Sequence, residues 1–269
     1  MFTLIMLISH TVADFLLQSD KIAKLKNELK IKGYICHAMG LAFTSLPFIL
    51  LVKYEYMLNV AIIVLVITAS HIALDYLKEI YHKRLVKKKK EKNNELILFV
   101  MDQVLHIAII LFLTRGMHSE FNSVNLFMAT KLFANGGMGY SSIKAVFVIL
   151  YVSLSGIYFV PMVFDIIYKK VKNRNKVLNE ILKENIEKNA HAFIDEVNAG
   201  KWIGVLERIL ILTLLFMNEF AAIGFVIAAK SVARFKMMDN KIFAEYYLLG
   251  TMLSVVYTIV CYGIFQMIL

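Results

Sequence analysis

Hydrophobic residues in this chain form long uninterrupted stretches, separated by shorter and mostly basic segments. A membrane-spanning helix needs about 20 apolar residues. Stretches of roughly that length occupy residues 1–18, 33–53, 57–78, 96–114, 142–168, 202–217, 219–235 and 242–268. The sixth and seventh meet at Asn218 and Glu219, a polar break that is either a tight turn or a kink in one re-entrant element. The pattern predicts an all-α, polytopic integral membrane protein with seven or eight transmembrane helices.

The amino-acid composition supports this class of protein. Hydrophobic residues make up 59% of the 269 residues, whereas soluble domains are about 45–50% apolar. The sequence lacks the short alternating strands of an outer-membrane barrel. Cys36 and Cys261 lie far apart in apolar stretches, which excludes a disulfide framework or a zinc motif of paired cysteines. No basic segment precedes the apolar residues 1–8, so we expect a first membrane helix and not a cleaved signal.

The net charge of +10 lies mainly between the hydrophobic stretches. It therefore indicates membrane orientation and contact with anionic lipid, and no nucleic acid is expected as a partner. The first loop, which includes Lys26, and the third loop, which includes Lys78, are strongly basic. The positive-inside rule predicts that both loops are cytoplasmic. Both termini of an eight-span chain then lie outside the cytoplasm.

Residues 171–200 form the longest polar region of the sequence. Its apolar residues are spaced to lie on one face of a helix. These residues are Leu178, Leu182, Ile186, Phe193 and Val197. Gly200 would be the C-cap of this helix. The region predicts a cytoplasmic amphipathic helix, which either lies on the headgroups or connects two units. We expect a four-helix transmembrane unit at 1–114, a span with this helix at 142–200, and C-terminal transmembrane helices at 201–269.

Three of the first four hydrophobic stretches contain a histidine and an aspartate four residues apart: His10 and Asp14, His71 and Asp75, and Asp102 and His106. Four residues are about one helical turn, so each pair lies on one side of its helix. The order is reversed in the fourth stretch, which crosses the membrane in the opposite direction. Each aspartate therefore lies nearer the cytoplasm, and His37 falls at the same depth. We expect one layer within about 15 Å of the cytoplasmic surface.

A divalent transition metal, with zinc as the first candidate, would explain these polar residues in apolar helices. An Asp at the centre of a span costs roughly 2.5–3.5 kcal/mol, less near the interface, so the group needs a shared partner or a wet cavity. Imidazole and carboxylate suit such metals, and four-helix units build di-metal sites from them. The seven candidate residues are more than the four ligands that one tetrahedral ion needs. Either the site is binuclear, or some of the residues orient ligands and act as bases. Interhelical hydrogen bonding and a proton relay are the alternatives.

Other polar residues are candidates for substrate binding. Gln18 and Gln103 flank the His/Asp set. In the C-terminal stretches, Arg208, Lys230 and Arg234 share a depth near the cytoplasmic side. They either hold a phosphate or lipid headgroup or pair with Glu207 and Glu245 to join helices.

Taken together, these motifs resemble a bacterial polytopic inner-membrane family known only as a domain of unknown function. The residues that carry the resemblance are the run from His10 to Gln18, His37, His71 to Asp75, Asp102 to His106, Gly204 to Arg208, Ala229 to Phe235, Glu245-Tyr246 and Gly250-Thr251. The first helices are similar, more loosely, to membrane-bound metal-dependent hydrolases. The resemblance implies a multi-pass protein of the bacterial plasma membrane.

The chemistry of the set favours a metal-dependent hydrolase in which the ion activates water and Asp75 or Asp102 is a general base. Its depth near the headgroups favours a lipid-linked or phosphoester substrate. Two other functions remain open at this point: a divalent cation or proton transporter, and a non-catalytic sensor or scaffold with a structural metal.

Overall fold

The computed structural model describes residues 2–50, 54–87, 94–115, 140–172, 190–239 and 241–269. Within these ranges the chain is almost entirely helical and has no β-strand, which confirms the all-α class. The chain divides into two compact units, Met1–Phe147 and Val148–Leu269.

Among the described residues up to 115, the first unit has five α-helices, and four of them surround the predicted cluster. These helices are α1 (Phe2–Val12), α2 (Asp20–Asn27), α3 (Ile31–Leu50), α4 (Tyr54–Lys87) and α5 (Asn94–Arg115). Helix α1 packs against α3 and α5, α3 packs against α4, and α4 packs against α5. The helices α1, α3, α4 and α5 therefore enclose one interior, while the short α2 packs on α3 and α4.

The connection between α1 and α2 departs from the simple loop that the sequence predicted. Helix α1 continues into a π-helical turn, Ala13–Leu17, which contains Asp14. Such turns are rare and occur frequently at functional sites. Helix α2 follows at an angle of 93°, and the Ser19 side chain caps it by accepting a hydrogen bond from the Ile22 backbone N–H at 3.5 Å. The sharp bend turns α2 back toward the interior of the unit.

Close packing of α2 on α3 depends on Gly33. A Cβ atom at this position would lie 2.8 Å from both the Leu25 Cβ and the Lys26 backbone nitrogen. Only glycine leaves room for so close an approach. This contact brings Lys26 into the interior, where 4% of the residue is exposed.

The second unit contains the remaining long helices. They are α6 (Tyr140–Lys172, which begins before the unit boundary), α7 (Ala190–Phe216), α8 (Phe220–Ala233) and α9 (Lys241–Ile268), with a short 3-10 helix at Phe235–Asp239. The predicted break at Asn218 and Glu219 is a tight turn between α7 and α8, with Asn218 at a φ of 60°. Helix α7 packs against α8 and α9.

The predicted amphipathic helix falls largely outside the described residues, because 173–189 are not described. Gly200 was predicted to end that helix, and this prediction is wrong. Residues on both sides of Gly200 belong to α7, which continues through it to Phe216. The apolar residues after 200 stabilise the continuing helix, so Gly200 is an interior helical position.

Four described segments are long and apolar enough to cross a membrane: Met57–Leu85, Glu95–Arg115, Tyr140–Ile167 and Ala244–Ile268. The bent pair Phe2–Leu17 and Asp20–Asn27 adds a fifth if it forms one broken span, and Phe220–Ala233 is a shorter apolar helix. The count among the described residues is therefore four or five, below the predicted seven or eight. Helix α7 carries Lys201, Glu207 and Arg208, which interrupt its apolar length.

The placement of polar and apolar side chains in these helices is the reverse of that in a soluble protein. Phe43, Phe112 and Phe225 expose 72%, 78% and 75% of their surface. By contrast, the polar residues that are almost completely buried in the first unit include His10, His37, His71, Asp75, Asp102 and His106. An apolar exterior around a polar interior is the arrangement expected of helices that face lipid.

A candidate metal centre in the first unit

The members of the predicted cluster project from four parts of the helical frame into one buried space. Helix α1 and its π turn supply His10 and Asp14, α3 supplies His37, α4 supplies His71 and Asp75, and α5 supplies Asp102 and His106. The rings of His10 and His71 lie 5.1 Å apart, and those of His71 and His106 lie 4.1 Å apart. The residues of the predicted cluster therefore lie close together in the first unit.

Three ligand atoms from three parts of the frame meet at the centre of the cluster. The Nε2 atoms of His37 and His71 are 2.7 Å apart. Each of them is 3.2 Å from Oδ1 of Asp14. At most 10% of any of the three side chains is exposed. Two imidazoles and one carboxylate thus converge on a point that bulk water does not reach freely.

Asp75 lies beside this trio and is held by a lysine. Its Oδ2 atom is 3.6 Å from the Nε2 atoms of both His37 and His71. Lys26 donates a hydrogen bond of 2.5 Å to the same oxygen and one of 2.9 Å to Oε1 of Gln18. The Asp75 carboxylate therefore has a cationic partner, whereas Asp14 is surrounded by histidines.

Asp102 and His106 form the other side of the cluster. Lys78 donates to Oδ2 of Asp102 at 3.1 Å, and the Gln103 amide lies 3.4 Å from Oδ2 of both Asp102 and Asp14. Nδ1 of His106 is 3.8 Å from Oδ1 of Asp102, which is too far for a hydrogen bond. Gln103 thus links Asp14, which follows α1, to Asp102 on α5.

Several buried polar atoms in the cluster have no hydrogen-bond partner among the described residues. They are both ring nitrogens of His10, Oδ1 of Asp14, Oδ1 of Asp102, Oε1 of Gln103 and Nδ1 of His106. Native proteins pair nearly all buried polar groups, and leaving one unpaired costs about 1–3 kcal/mol. Six such atoms in one space make the cluster a candidate site for a further species, such as water or an ion.

The donor set and its spacing fit a divalent transition metal. Ligands bound to a tetrahedral zinc at about 2.0–2.1 Å lie roughly 3.3 Å from one another. The separations among Asp14 Oδ1, His37 Nε2 and His71 Nε2 are 2.7, 3.2 and 3.2 Å. Three His/carboxylate groups in the unit have ligand atoms within 4.8 Å of one another: His10, Asp14 and His71; His37, His71 and Asp75; and Asp75, Asp102 and His106.

The sequence assigned two lysines that contact the cluster to basic loops, and this assignment is wrong. Lys26 is buried in α2, and Lys78 lies within α4, which continues to Lys87. Two features of the sequence could have indicated that these lysines lie near the cluster. Gly33 permits the close approach of α2, which carries Lys26, and Lys78 follows Asp75 by three residues on the same helix. Of the two predicted flanking residues, Gln103 contacts Asp14 and Asp102, whereas Gln18 accepts a hydrogen bond from Lys26, which in turn contacts Asp75.

The cationic residues predicted in the second unit make two sets of contacts. Lys230 pairs with Glu207 at 2.6 Å and lies 5.3 Å from the centre of the Tyr247 ring. Arg234 lies 5.8 Å from the same ring, and Glu245 is exposed. The pairing of Lys230 with Glu207 agrees with the structural alternative that the sequence left open.

Arg208 is separated from this pair and buried, with 3% of its surface exposed. Its Nε and Nη2 atoms donate to the Ser153 carbonyl at 3.1 and 2.8 Å, and Nη1 donates to the Ser254 hydroxyl at 3.4 Å. These bonds connect α7 to α6 and α9. The contacts give Arg208 a role in joining helices.

Residues 2–134 match the family described as "Protein of unknown function (DUF3307)". The matched range contains all seven cluster residues together with Gln18, Lys26, Lys78 and Gln103; the motifs from Gly204 onward lie beyond it. No curated protein and no solved structure matches the chain. The match to this family therefore covers 133 of the 269 residues, all of them in the N-terminal unit.

Proposed function

We propose that this chain is a multi-pass protein of the bacterial plasma membrane that binds a divalent transition metal, zinc first, and catalyses hydrolysis of a lipid-linked or phosphoester substrate. The proposed topology has seven or eight spans, with the His/Asp cluster near the cytoplasmic face. The basic loops would contact anionic lipid in this orientation.

One observation carries the proposal: Asp14, His37 and His71 place three ligand atoms within 3.2 Å of one another in a buried space. A structural zinc site is usually closed by four protein ligands, whereas catalytic sites use three and leave a position for water or substrate. The trio matches the catalytic arrangement. A hydrogen-bonded core would not explain six unpartnered atoms in the same space.

Charge also supports a bound cation. Among the described residues of the first unit, four carboxylates are buried or nearly so, those of Asp14, Asp75, Asp102 and Glu79. Lys26 and Lys78 contribute two positive charges, so the four acidic groups exceed the two lysines by two charges. Uncompensated buried charge is strongly unfavourable. One divalent ion would neutralise the cluster.

The residues around the trio have distinct proposed roles. A metal ion bound there would lower the pKa of a water molecule and polarise the substrate. Asp75, 3.6 Å from both histidine Nε2 atoms, would accept the proton of that water. Lys26 holds the Asp75 carboxylate in position, and its positive charge favours a phosphate group in the adjacent space.

Metal analysis of the detergent-purified, zinc-equilibrated protein tests the proposal. We expect wild-type protein to retain zinc after gel filtration, and to lose thermal stability on addition of a chelator because the ion binds the folded state. Asp14→Asn and His71→Gln should lose zinc. His82→Gln is the matched control, since His82 lies on α4 outside the cluster.

Hydrolysis is tested separately from binding. Zinc-loaded wild-type protein is incubated with a chromogenic aryl phosphate and with a phospholipid in mixed micelles, alongside Asp75→Asn. We expect the wild type to release product from at least one of them, and Asp75→Asn to lose turnover. Wild-type protein without bound metal would refute the whole proposal. Metal without turnover on either substrate would refute phosphoester hydrolysis alone.

A further inference from the structure

The half of the cluster on α1 and α5 is not used by the Asp14, His37 and His71 trio. It contains His10, with 1% of the residue exposed and both ring nitrogens unpartnered, together with Asp102 and His106. Asp102 is 7% and His106 is 2% exposed. Four unpartnered nitrogen and oxygen atoms of strong metal-binding types therefore lie next to the proposed zinc site.

We propose that Asp102 and His106 hold a second divalent cation, with Asp75 as a carboxylate shared between the two ions. This inference rests on the proposed function, because it adds an ion to the same centre. Asp75, Asp102 and His106 each offer a ligand atom, and the three atoms lie within 4.8 Å of one another. Asp75 also belongs to the group formed with His37 and His71, so the two ions would be neighbours.

The two oxygens of Asp102 have different environments. Lys78 and the Gln103 amide contact Oδ2, at 3.1 and 3.4 Å. The other oxygen, Oδ1, is buried and has no partner among the described residues. A cation can therefore bind Oδ1 without displacing the lysine. Nδ1 of His106 lies 3.8 Å from this oxygen and is also unpartnered, a separation that an ion between the two atoms would explain.

His10 completes this half of the centre. Its ring lies 5.1 Å from the rings of both His71 and His106. It is therefore adjacent to both proposed ions. The structure assigns it a positioning role at the boundary between them, through water or by direct contact with the second ion.

The second ion changes the expected chemistry of the centre. The positive charge of two divalent ions would exceed the negative charge by which the buried carboxylates outnumber the lysines. The centre would then be positively charged, and a phosphate monoester dianion could neutralise it. Paired metal ions are used in phosphatases and nucleases to stabilise both the attacking and the leaving oxygen. The inference therefore selects phosphate esters within the proposed substrate class. It also makes Asp75 a ligand of both ions instead of a general base, and the open position for water then lies at the second ion, which has the three protein ligands Asp75, Asp102 and His106.

Metal stoichiometry distinguishes one ion from two. Purified full-length protein is equilibrated with zinc, freed of excess by gel filtration and analysed for zinc per chain. We expect two ions for wild type and for the His82→Gln control, and one ion for Asp102→Asn and for His106→Gln. One ion in wild type, still lost in His71→Gln, would overturn the second site and leave the proposed function intact. No bound ion would overturn both.

A spectroscopic measurement keeps the inference testable if a variant does not fold. Wild-type protein loaded with Mn²⁺ is studied by electron paramagnetic resonance. Two ions that share the Asp75 carboxylate should give an exchange-coupled spectrum. The six-line spectrum of isolated Mn²⁺ at full loading would contradict a shared centre.

Discussion

The Nε2 atoms of His37 and His71 lie 2.7 Å apart although the two residues are 34 positions apart in the chain and belong to different helices. Both atoms also face Oδ1 of Asp14 at 3.2 Å. Without a metal, one imidazole must donate to the other. With a metal, both lone pairs can bind the same ion.

The geometry of this trio predicts a four-coordinate site. Replacing zinc with Co²⁺ should produce the intense visible absorption that is characteristic of tetrahedral Co²⁺, because Asp14, His37 and His71 supply three ligands and either water or the shared Asp75 carboxylate supplies the fourth. His37→Gln should abolish most of that absorption. Weak absorption typical of octahedral Co²⁺ in wild-type protein would contradict the four-coordinate assignment.

Lys26 should be important for stability in the absence of metal. Lys26→Met removes the cation that contacts Asp75 at 2.5 Å and leaves a buried carboxylate without its partner. Breaking a buried pair in this way costs about 3–5 kcal/mol. We expect a marked fall in the thermal midpoint of the metal-free protein and a smaller fall once zinc is added. Lys24→Met, on the same helix, is the control; an equal fall in both variants would contradict a specific role for the pair.

Gly156 should be intolerant of a side chain. A Cβ atom there would lie 2.6 Å from Nε of Arg208, and the guanidinium cannot move without breaking its bonds to the Ser153 carbonyl. Gly156→Ala should therefore destabilise the protein by about 1–3 kcal/mol, measured by thermal or denaturant unfolding in detergent. Gly224→Ala is the matched helical control, because no atom lies within 4 Å of the place that its methyl group would occupy. The control substitution should be neutral or stabilising by up to about 1 kcal/mol.

Glu207 and Lys230 should stabilise the α7–α8 hairpin as a pair. Their side chains are 18% and 22% exposed and meet at 2.6 Å. A double-mutant cycle with Glu207→Gln and Lys230→Met should give a coupling energy of about 1 kcal/mol. Additive effects of the two substitutions would show that the contact does not stabilise the hairpin.

The proposed topology predicts that the basic segment between α4 and α5 faces the cytoplasm. Lys90→Cys, in a chain whose Cys36 and Cys261 are replaced by alanine, should react with a membrane-impermeant thiol reagent only after the cells are permeabilised. Labelling of Lys90→Cys in intact cells would contradict the proposed orientation and would place this segment outside the cytoplasm. Leu269→Cys in the same background reports on the other end of the chain, and it should be labelled in intact cells if there are eight spans.

The sequence by itself determined the helical class and the membership of the His/Asp cluster. Both depend on local periodicity: apolar stretches of span length predict helices, and a separation of four residues places His71 and Asp75 on one side of a helix whatever surrounds it. The reversed order in Asp102 and His106 indicated a common depth. These features need no knowledge of which helices touch.

Only the tertiary structure decided which members of the cluster meet and what balances their charge. The trio of Asp14, His37 and His71 arises from the packing of α1, α3 and α4, which periodicity does not specify. Lys26 enters the interior because the chain bends by 93° after the first helix and Gly33 permits a close approach. In sequence this lysine is indistinguishable from its solvated neighbours. Its burial follows from long-range packing, since a charge can be buried only where a partner such as Asp75 is brought to it.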